Sequence, residues 1–424
     1  MDSIVIEGGA KISGEIEISG AKNAALPIIA SCLLSPHKII LKNIPKVSDI
    51  ITMCDLLKSH GANVRITPNI GLGLNLEIEA KDITNFTSHY DIVRKMRASI
   101  WTLAPLIARF GKAIVSFPGG CAIGARQIDM HLDLLESMGA TLKIEHGYIY
   151  AKGALQGTEF CFHKISVGAT ITGVMAASIT KGNTVLLNCS NEPEVVDLCK
   201  FLSQIGAKID GIGTNTLKIA GTKDLSGTEY RIIADRIEAG TYMIAAALTK
   251  GNLCLTNIDY DIVENTVVKL KEANIQINHK NGKIYVNGES VIKAVDIETC
   301  PYPGFATDLQ AQFMTLMIVA HGTSIVTETI FENRFMHVPE LCRMGADITL
   351  NGHTAKILGV DKIEGAEVMA SDLRASVSLI LAGLRANGKT KVRRVYHLDR
   401  GYENLVSKLE QCGAKIKRIS GDKV

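Results

Sequence analysis

Cys121 stands in the segment Phe117-Pro-Gly-Gly-Cys-Ala-Ile-Gly-Ala-Arg126, which runs on into Gln127-Ile-Asp-Met-His131. Three glycines and a proline in ten positions exclude a helix or strand interior, so a shaped loop is expected. A thiol on such a loop with the Arg126 guanidinium close behind is the setting that favours the thiolate, the reactive form. Most cysteines are buried structural thiols. A Gly-Gly loop offers little core to bury one, so Cys121 reads as a chemical group.

Charged residues recur at one kind of place. Lys22-Asn23, Met96-Arg97-Ala-Ser99, Lys164 followed by Ser166-Val167-Gly168, Thr307-Asp308 and Asp372-Leu-Arg374 each open an apolar helical stretch. A helix N-terminus presents unpaired N–H groups and partial positive charge, which suits phosphate or carboxylate. Arg334, in Phe331-Glu-Asn-Arg, and Arg400, in His397-Leu-Asp-Arg-Gly, sit in loops. Any one of these alone reads as a solvated charge or a cap. Their recurrence at equivalent places points to a cationic cleft for a small, highly anionic ligand. Glu192, Glu194 and Glu238 read as caps or solvated residues. His131, His337 and His397 lack metal-ligand spacing, and neither a P-loop nor a dinucleotide fingerprint in its strand-to-helix setting is present. No metal and no cofactor are expected.

The elements that must hold these groups repeat. His60-Gly-Ala, Met138-Gly-Ala, Ile205-Gly-Ala, Met344-Gly-Ala and Cys412-Gly-Ala each close an amphipathic helix and open a strand, with Glu272-Ala-Asn-Ile as a degenerate copy. The spacing is roughly 70 residues, longer than the common solenoid repeats, so each unit is a small subdomain. Each begins with a helix apolar nearly all round (24–34, 100–110, 170–180, 241–249, 309–320 and 375–386), which is expected to be buried. A β-rich run, the amphipathic helix and a strand pair follow. Six units fall into two sets of three, divided near 230–234, with buried helices inside and sheets outside.

The chain of 424 residues exceeds one ordinary core. Its 46 Lys+Arg against 43 Asp+Glu leave +3, too little for a dedicated nucleic-acid surface, so an anion site must be local. No apolar run approaches the ~18 residues of a membrane span. Met1-Asp-Ser-Ile-Val-Ile-Glu starts on a strand-like alternation, without the basic and apolar regions of a signal peptide. The ten cysteines include no CxxC pair, which argues for reduced thiols in a cytoplasm and against zinc or a disulfide framework. The expectation is a cytoplasmic protein with small-molecule partners, no nucleic acid and no membrane.

Taken in register, these segments resemble the enolpyruvyl transferases. Ser19-Gly-Ala-Lys-Asn-Ala-Ala-Leu-Pro27, Met96-Arg-Ala-Ser-Ile-Trp101, Pro118-Gly-Gly-Cys-Ala-Ile-Gly-Ala-Arg126, Thr307-Asp-Leu-Gln-Ala-Gln312, Phe331-Glu-Asn-Arg-Phe-Met-His-Val-Pro-Glu340 and Asp372-Leu-Arg-Ala-Ser376 carry the resemblance across essentially the whole chain. It implies an α/β (α+β) fold: an inside-out α/β barrel of two domains, each with three pseudo-symmetric βαβαββ repeats. Residues 22–232 would form the first domain, with the loop 117–127, and 1–21 plus 233–424 the second. The implied reaction moves the enolpyruvyl group of phosphoenolpyruvate to the 3′-hydroxyl of UDP-N-acetylglucosamine and releases phosphate. A monomer is expected.

Residue by residue, the resemblance implies that Lys22, Arg126 and Arg400 hold the phosphate of phosphoenolpyruvate, with Asn23 beside them, and that Arg334 and Arg374 hold its carboxylate, which planar guanidiniums suit. Asp308 would take the hydroxyl proton, and Cys121 would serve in protonation, a covalent adduct and product release. Asp372 would steer protons beside Arg374, and Lys22 joins these three as catalytic. Contacts to the nucleotide sugar fall on Asn23, Arg97, Arg126, Gln127, Ile128, Asp129, Lys164, Ser166, Val167, Gly168, Asp308 and Ile330. Gln127 and Ala306 stand where many members have proline, which alters loop stiffness rather than chemistry. The loop 117–127 is expected to close as a lid over the substrates.

Three rivals are weighed against this. Cys121 on its Gly-Gly loop and the Arg126 to Asp129 segment favour a nucleotide sugar over shikimate 3-phosphate, the acceptor of the sister enzyme 5-enolpyruvylshikimate-3-phosphate synthase. An inactive paralogue that binds UDP-sugar would need a lost acid or base, yet Cys121, Asp308, Lys22 and Arg400 are all present. RNA-end processing on a similar repeat fold would need a basic surface that the charge balance withholds.

Overall fold

The computed structural model describes residues 2–69, 71–117 and 128–421. Cys121, Arg126 and Gln127, with most of the loop 117–127, lie outside the described residues. Among those described, the strands form six sheets of four, all wired alike. In one, Thr228–Arg231 runs parallel to Ile39–Ile44, which pairs antiparallel with Leu74–Glu79, and that strand pairs antiparallel with Asn63–Pro68. Leu74, Leu76 and Ile78 point to the core while Asn75, Glu77 and Glu79 stay half-buried, the period-two pattern of a sheet with one face covered.

The covering helices are those apolar all round. Ala169–Ser178 of the helix Val167–Ile179 and Ile237–Leu248 of the helix Arg236–Leu248 are buried without a break. The helix Glu264–Glu272 buries only Thr266, Val267 and Leu270, as an outer two-faced helix does. Helices therefore line the inside and sheets the outside, the inverse of a barrel with a strand core.

Two of the buried helices start later than their hydrophobic pattern suggests. Arg97–Thr102 is a 3₁₀ turn and the α-helix runs only from Leu103 to Phe110. Pro105 has no N–H for Trp101, and its ring crowds that carbonyl, which disfavours α-helical bonding in the turn before Leu103. Thr307–Leu309 is likewise a 3₁₀ turn ahead of Gln310–Met317.

The outer helices end on a left-handed residue: Gly61, Gly139, Gly206, Gly345 and Gly413, with φ between 95° and 115°. At Gly139 the N–H bonds Glu136 O at 2.8 Å, and Ala140 N–H bonds Leu135 O at 2.9 Å, a Schellman closure. In the degenerate copy Asn274 takes this place with φ 69°, bonding Lys271 O at 2.9 Å while Ile275 bonds Leu270 O at 3.0 Å. Asparagine is the residue after glycine that tolerates this conformation best.

The described residues divide into two compact units, one holding those up to Ser19 and from Ala234 onward, the other Gly20 to Phe117 and Ile128 to Ile233. Each has its own apolar core. The N-terminal strands belong to the first of these: Ser3–Glu7 lies between Lys389–Arg393 and Lys415–Ile419, and Ser13–Glu17 runs parallel to Asn252–Thr256.

Glu238 corrects an expectation. It is neither a cap nor solvated, because Asp235 caps the helix Arg236–Leu248 through the N–H groups of Ile237 and Glu238. The Glu238 carboxylate is buried, accepting from the Ser19 N–H at 2.7 Å and from Lys408 Nζ at 2.7 Å. Lys408 also donates to Glu17 O at 2.9 Å and Ser19 Oγ at 2.8 Å, tying the N-terminal segment to its unit.

Among the described residues, no helix is long and apolar enough to cross a membrane, and no His/Cys/Asp/Glu group has a metal-binding arrangement. Burial pushes the Cys54, Cys189 and Cys199 thiols up to about 12, so these three are inert.

Candidate functional site

In the C-terminal unit a carboxylate sits in the grip of two arginines. The turn Thr307–Leu309 holds Asp308 at the mouth of the buried helix that follows. Arg334 Nη2 reaches Asp308 Oδ1 at 2.6 Å and Arg374 Nη2 reaches Oδ2 at 2.7 Å. Both guanidiniums are nearly buried, while Asp308 keeps about a quarter of its side chain exposed. Burial pushes the Asp308 carboxyl up, but the charges of Arg374 and Arg334 outweigh it and hold the group well below the usual carboxylate range. Two guanidiniums and one carboxylate leave the trio with one net positive charge, and the Arg334 Nε–H is buried with no hydrogen-bond partner among the described residues.

Both arginines are braced from behind. Arg334 Nη1 donates to Thr307 Oγ1 at 2.8 Å. Arg374 Nη1 donates to the Tyr402 hydroxyl at 3.2 Å, which meets Thr241 Oγ1 at 2.9 Å. Gln312 Nε2 donates to the Asp308 carbonyl at 3.0 Å. Asp372 is the N-cap of the helix Leu373–Arg385: its Oδ1 accepts from the N–H groups of Arg374 and Ala375 at 2.8 and 3.0 Å. This cap fixes where Arg374 leaves the helix. Arg400 ends the turn Val395–Arg400, two residues before Tyr402. Ile330 lies half-buried on the loop before Arg334, its N–H bonded to Glu328.

The other unit collects a second group. Lys22 and Asn23 open the helix Lys22–Ser31, and Lys22 Nζ pairs with Asp49 at 3.5 Å. Arg97 opens its 3₁₀ turn. Ser166 caps the helix Val167–Ile179 by accepting from Ala169 N–H, and Trp101 Nε1 donates to Gly168 O at 3.3 Å. A Cβ on Gly168 would lie 3.0 Å from His131 Nε2, so glycine is what lets this helix end approach the imidazole. Ile128 is buried, and Asp129 begins the helix Asp129–Ser137. Lys164 is exposed at the same helix start as Ser166 and Val167. Asp49, Tyr402, Gln312, Thr241 and Glu328 went unread in the sequence; the one available signal was glutamine inside an otherwise apolar helix.

Two buried histidines set a pH limit. His131 Nδ1 contacts Thr172 Oγ1 at 2.7 Å, and burial, with Arg97 adding to it, pulls this imidazole down to about 4. Burial does the same to His337, against the pull of Asp372. Below the ordinary value of 6.5 the unfolded chain takes up a proton that the folded chain refuses. Stability therefore falls as pH drops from 6.5 toward 4 and the loss levels off below, about 3 kcal/mol for each histidine. Denaturant melts at stepped pH check this: H131Q and H337Q should each flatten the slope in that window, and an unchanged slope contradicts it.

A family profile described as EPSP synthase (3-phosphoshikimate 1-carboxyvinyltransferase) matches residues 6–409. The chain belongs to the EPSP synthase family of enolpyruvyl transferases. Relatives from Rickettsia massiliae and Rickettsia prowazekii, both named UDP-N-acetylglucosamine 1-carboxyvinyltransferase, are each 56% identical over 421 residues, 99% of this chain and 100% of theirs. Among solved structures, the enolpyruvyl transferase NikO from Streptomyces tendae shares the fold at a TM-score of 0.89 with 22% identity, covering 99% of both chains. An EPSP synthase from Acinetobacter baumannii gives 0.75 at 16% identity, over 99% of this chain and 100% of that one. The inside-out arrangement of buried helices and outer sheets is thus the fold of the enolpyruvyl transferase family.

Proposed function

We propose that this protein transfers the enolpyruvyl group of phosphoenolpyruvate to the 3′-hydroxyl of UDP-N-acetylglucosamine by addition and elimination, releasing phosphate. The observation that carries the reading is the 56% identity, over full length, to relatives named for that reaction. The Asp308, Arg334 and Arg374 trio supports it chemically. An acceptor hydroxyl needs a base beside a site for the carboxylate of the second substrate, and the trio offers both.

An aspartate held so far down is a weak base. Docking a substrate carboxylate on Arg334 and Arg374 answers this, because the incoming charge shares the guanidiniums and raises the basicity of Asp308 as the hydroxyl arrives. The hydroxyl oxygen then bonds C2 of the enolpyruvyl group and C3 gains a proton. Loss of phosphate from C2 together with a proton from C3 then restores the double bond. Lys22, Asn23, Arg126 and Arg400 take the phosphate, Cys121 supplies the proton and an alternative adduct through its sulfur, and Asp372 steers protons beside Arg374. Arg97, Gln127, Ile128, Asp129, Lys164, Ser166, Val167, Gly168 and Ile330 seat the nucleotide sugar. We assign the protein to peptidoglycan synthesis in a cytoplasm, acting as a monomer.

Phosphate release from phosphoenolpyruvate, with UDP-N-acetylglucosamine and shikimate 3-phosphate offered separately, tests this. Turnover is expected with the nucleotide sugar alone, and turnover with the shikimate alone would reverse the assignment.

A further inference from the structure

Glu328 has no part in the chemistry above, yet its carboxylate is 1% exposed and engaged on both oxygens. Oε1 accepts from Thr299 Oγ1 at 3.0 Å and from the N–H groups of Ile330 and Phe331 at 2.9 and 3.1 Å. Oε2 meets Thr307 Oγ1 at 2.9 Å. The direction of that last bond is fixed, because Arg334 Nη1 can only donate to Thr307 Oγ1, leaving the threonine proton for Glu328. The Arg334 fork thus grips two consecutive residues, Thr307 through Nη1 and Asp308 through Nη2.

We infer that Glu328 is a positioning residue which, through the Thr307 hydroxyl, orients the Arg334 guanidinium and ties it to the loop carrying Ile330. The inference rests on the proposed function for what Arg334 is oriented toward. A carboxylate suits the place because it accepts the Thr307 hydroxyl on one oxygen and the Thr299 hydroxyl with two backbone N–H groups on the other. Glutamine has the same shape but only one accepting oxygen. The backbone N–H groups of Ile330 and Phe331 claim that oxygen, so the amide NH₂ faces Thr307, and Thr307 then meets two donors and loses its acceptor. T307V deletes the link outright, and T307S keeps it.

A guanidinium tilted out of place costs catalysis more than binding when its partner is aligned only at the reacting stage. With UDP-N-acetylglucosamine as acceptor, T307V and E328Q are expected to lose roughly 10–100-fold in kcat while the KM for the nucleotide sugar moves little in T307V. T307S should stay within a few-fold of the unaltered chain. A T307V variant as fast as T307S, or one that loses only melting temperature, overturns the inference. A second readout needs no turnover: the Arg334 Nε–H resonance in ¹⁵N-labelled protein should be retained in T307S and broadened or lost in T307V, and equal signals in both overturn it as well. Failure of the unaltered chain to turn over would count against the proposed function alone, with the resonance still deciding the positioning.

Discussion

Asp308→Asn should lower turnover by roughly 10²–10⁴-fold, the span a positioned proton acceptor contributes. Asparagine keeps the shape and presents an oxygen to one guanidinium, but it cannot take a proton. It also turns an NH₂ toward the other guanidinium at the place of a bond now 2.6 or 2.7 Å long. Either substitution, Asn or Ala, removes the charge between two nearly buried guanidiniums, which costs about 3–5 kcal/mol of stability. Both variants should therefore melt lower, and their turnover is compared well below the transition, where the chain is still folded. Turnover by Asp308→Asn at the unaltered rate, measured by phosphate release, would remove Asp308 from the mechanism.

Lys408→Met is expected to destabilise the C-terminal unit by about 3–5 kcal/mol, since it strands the buried Glu238 carboxylate without its counter-ion. The side chains of Lys408 and Glu238 are 9% and 2% exposed, so water cannot stand in for the lost ammonium. The same change frees Glu17 O and Ser19 Oγ from their donor. For a unit of this size the loss lowers the calorimetric transition by roughly 6–20 °C. The double variant K408M/E238L should recover much of it, because a packed apolar pair replaces a buried ion pair at little net cost. A melting temperature unmoved by Lys408→Met would show that the pair is not what anchors the N-terminal segment.

What was legible in the sequence was what short-range physics writes there. The Gly-Ala helix closures announce the repeat because a left-handed residue must end each outer helix, and Asn274 shows the one permitted exception. The all-apolar helices announce burial on every side. The late starts at Leu103 and Gln310 were less visible, since the hydrophobic pattern ran on through turns that a proline or a polar end tightens. What spans long distances was not legible. Arg334 and Arg374 lie 26 and 66 residues from Asp308, and no local pattern says which arginines converge on which carboxylate; the resemblance named the three residues but not their pairing. Glu238 looked like a surface charge because its partner, Lys408, is 170 residues away. Glu328 gave no signal at all: its role lies in hydrogen bonds that the fold alone brings together.

The central claim is an addition and elimination across the enolpyruvyl double bond, and running the reaction in D₂O tests it most directly. Mass and NMR analysis of the sugar product should show a 3′-enolpyruvyl ether with deuterium in its methylene group, because C3 becomes a freely rotating methyl before phosphate leaves. An ether formed without any deuterium at C3, or a nucleotide sugar recovered unchanged while shikimate 3-phosphate is consumed, would contradict the account.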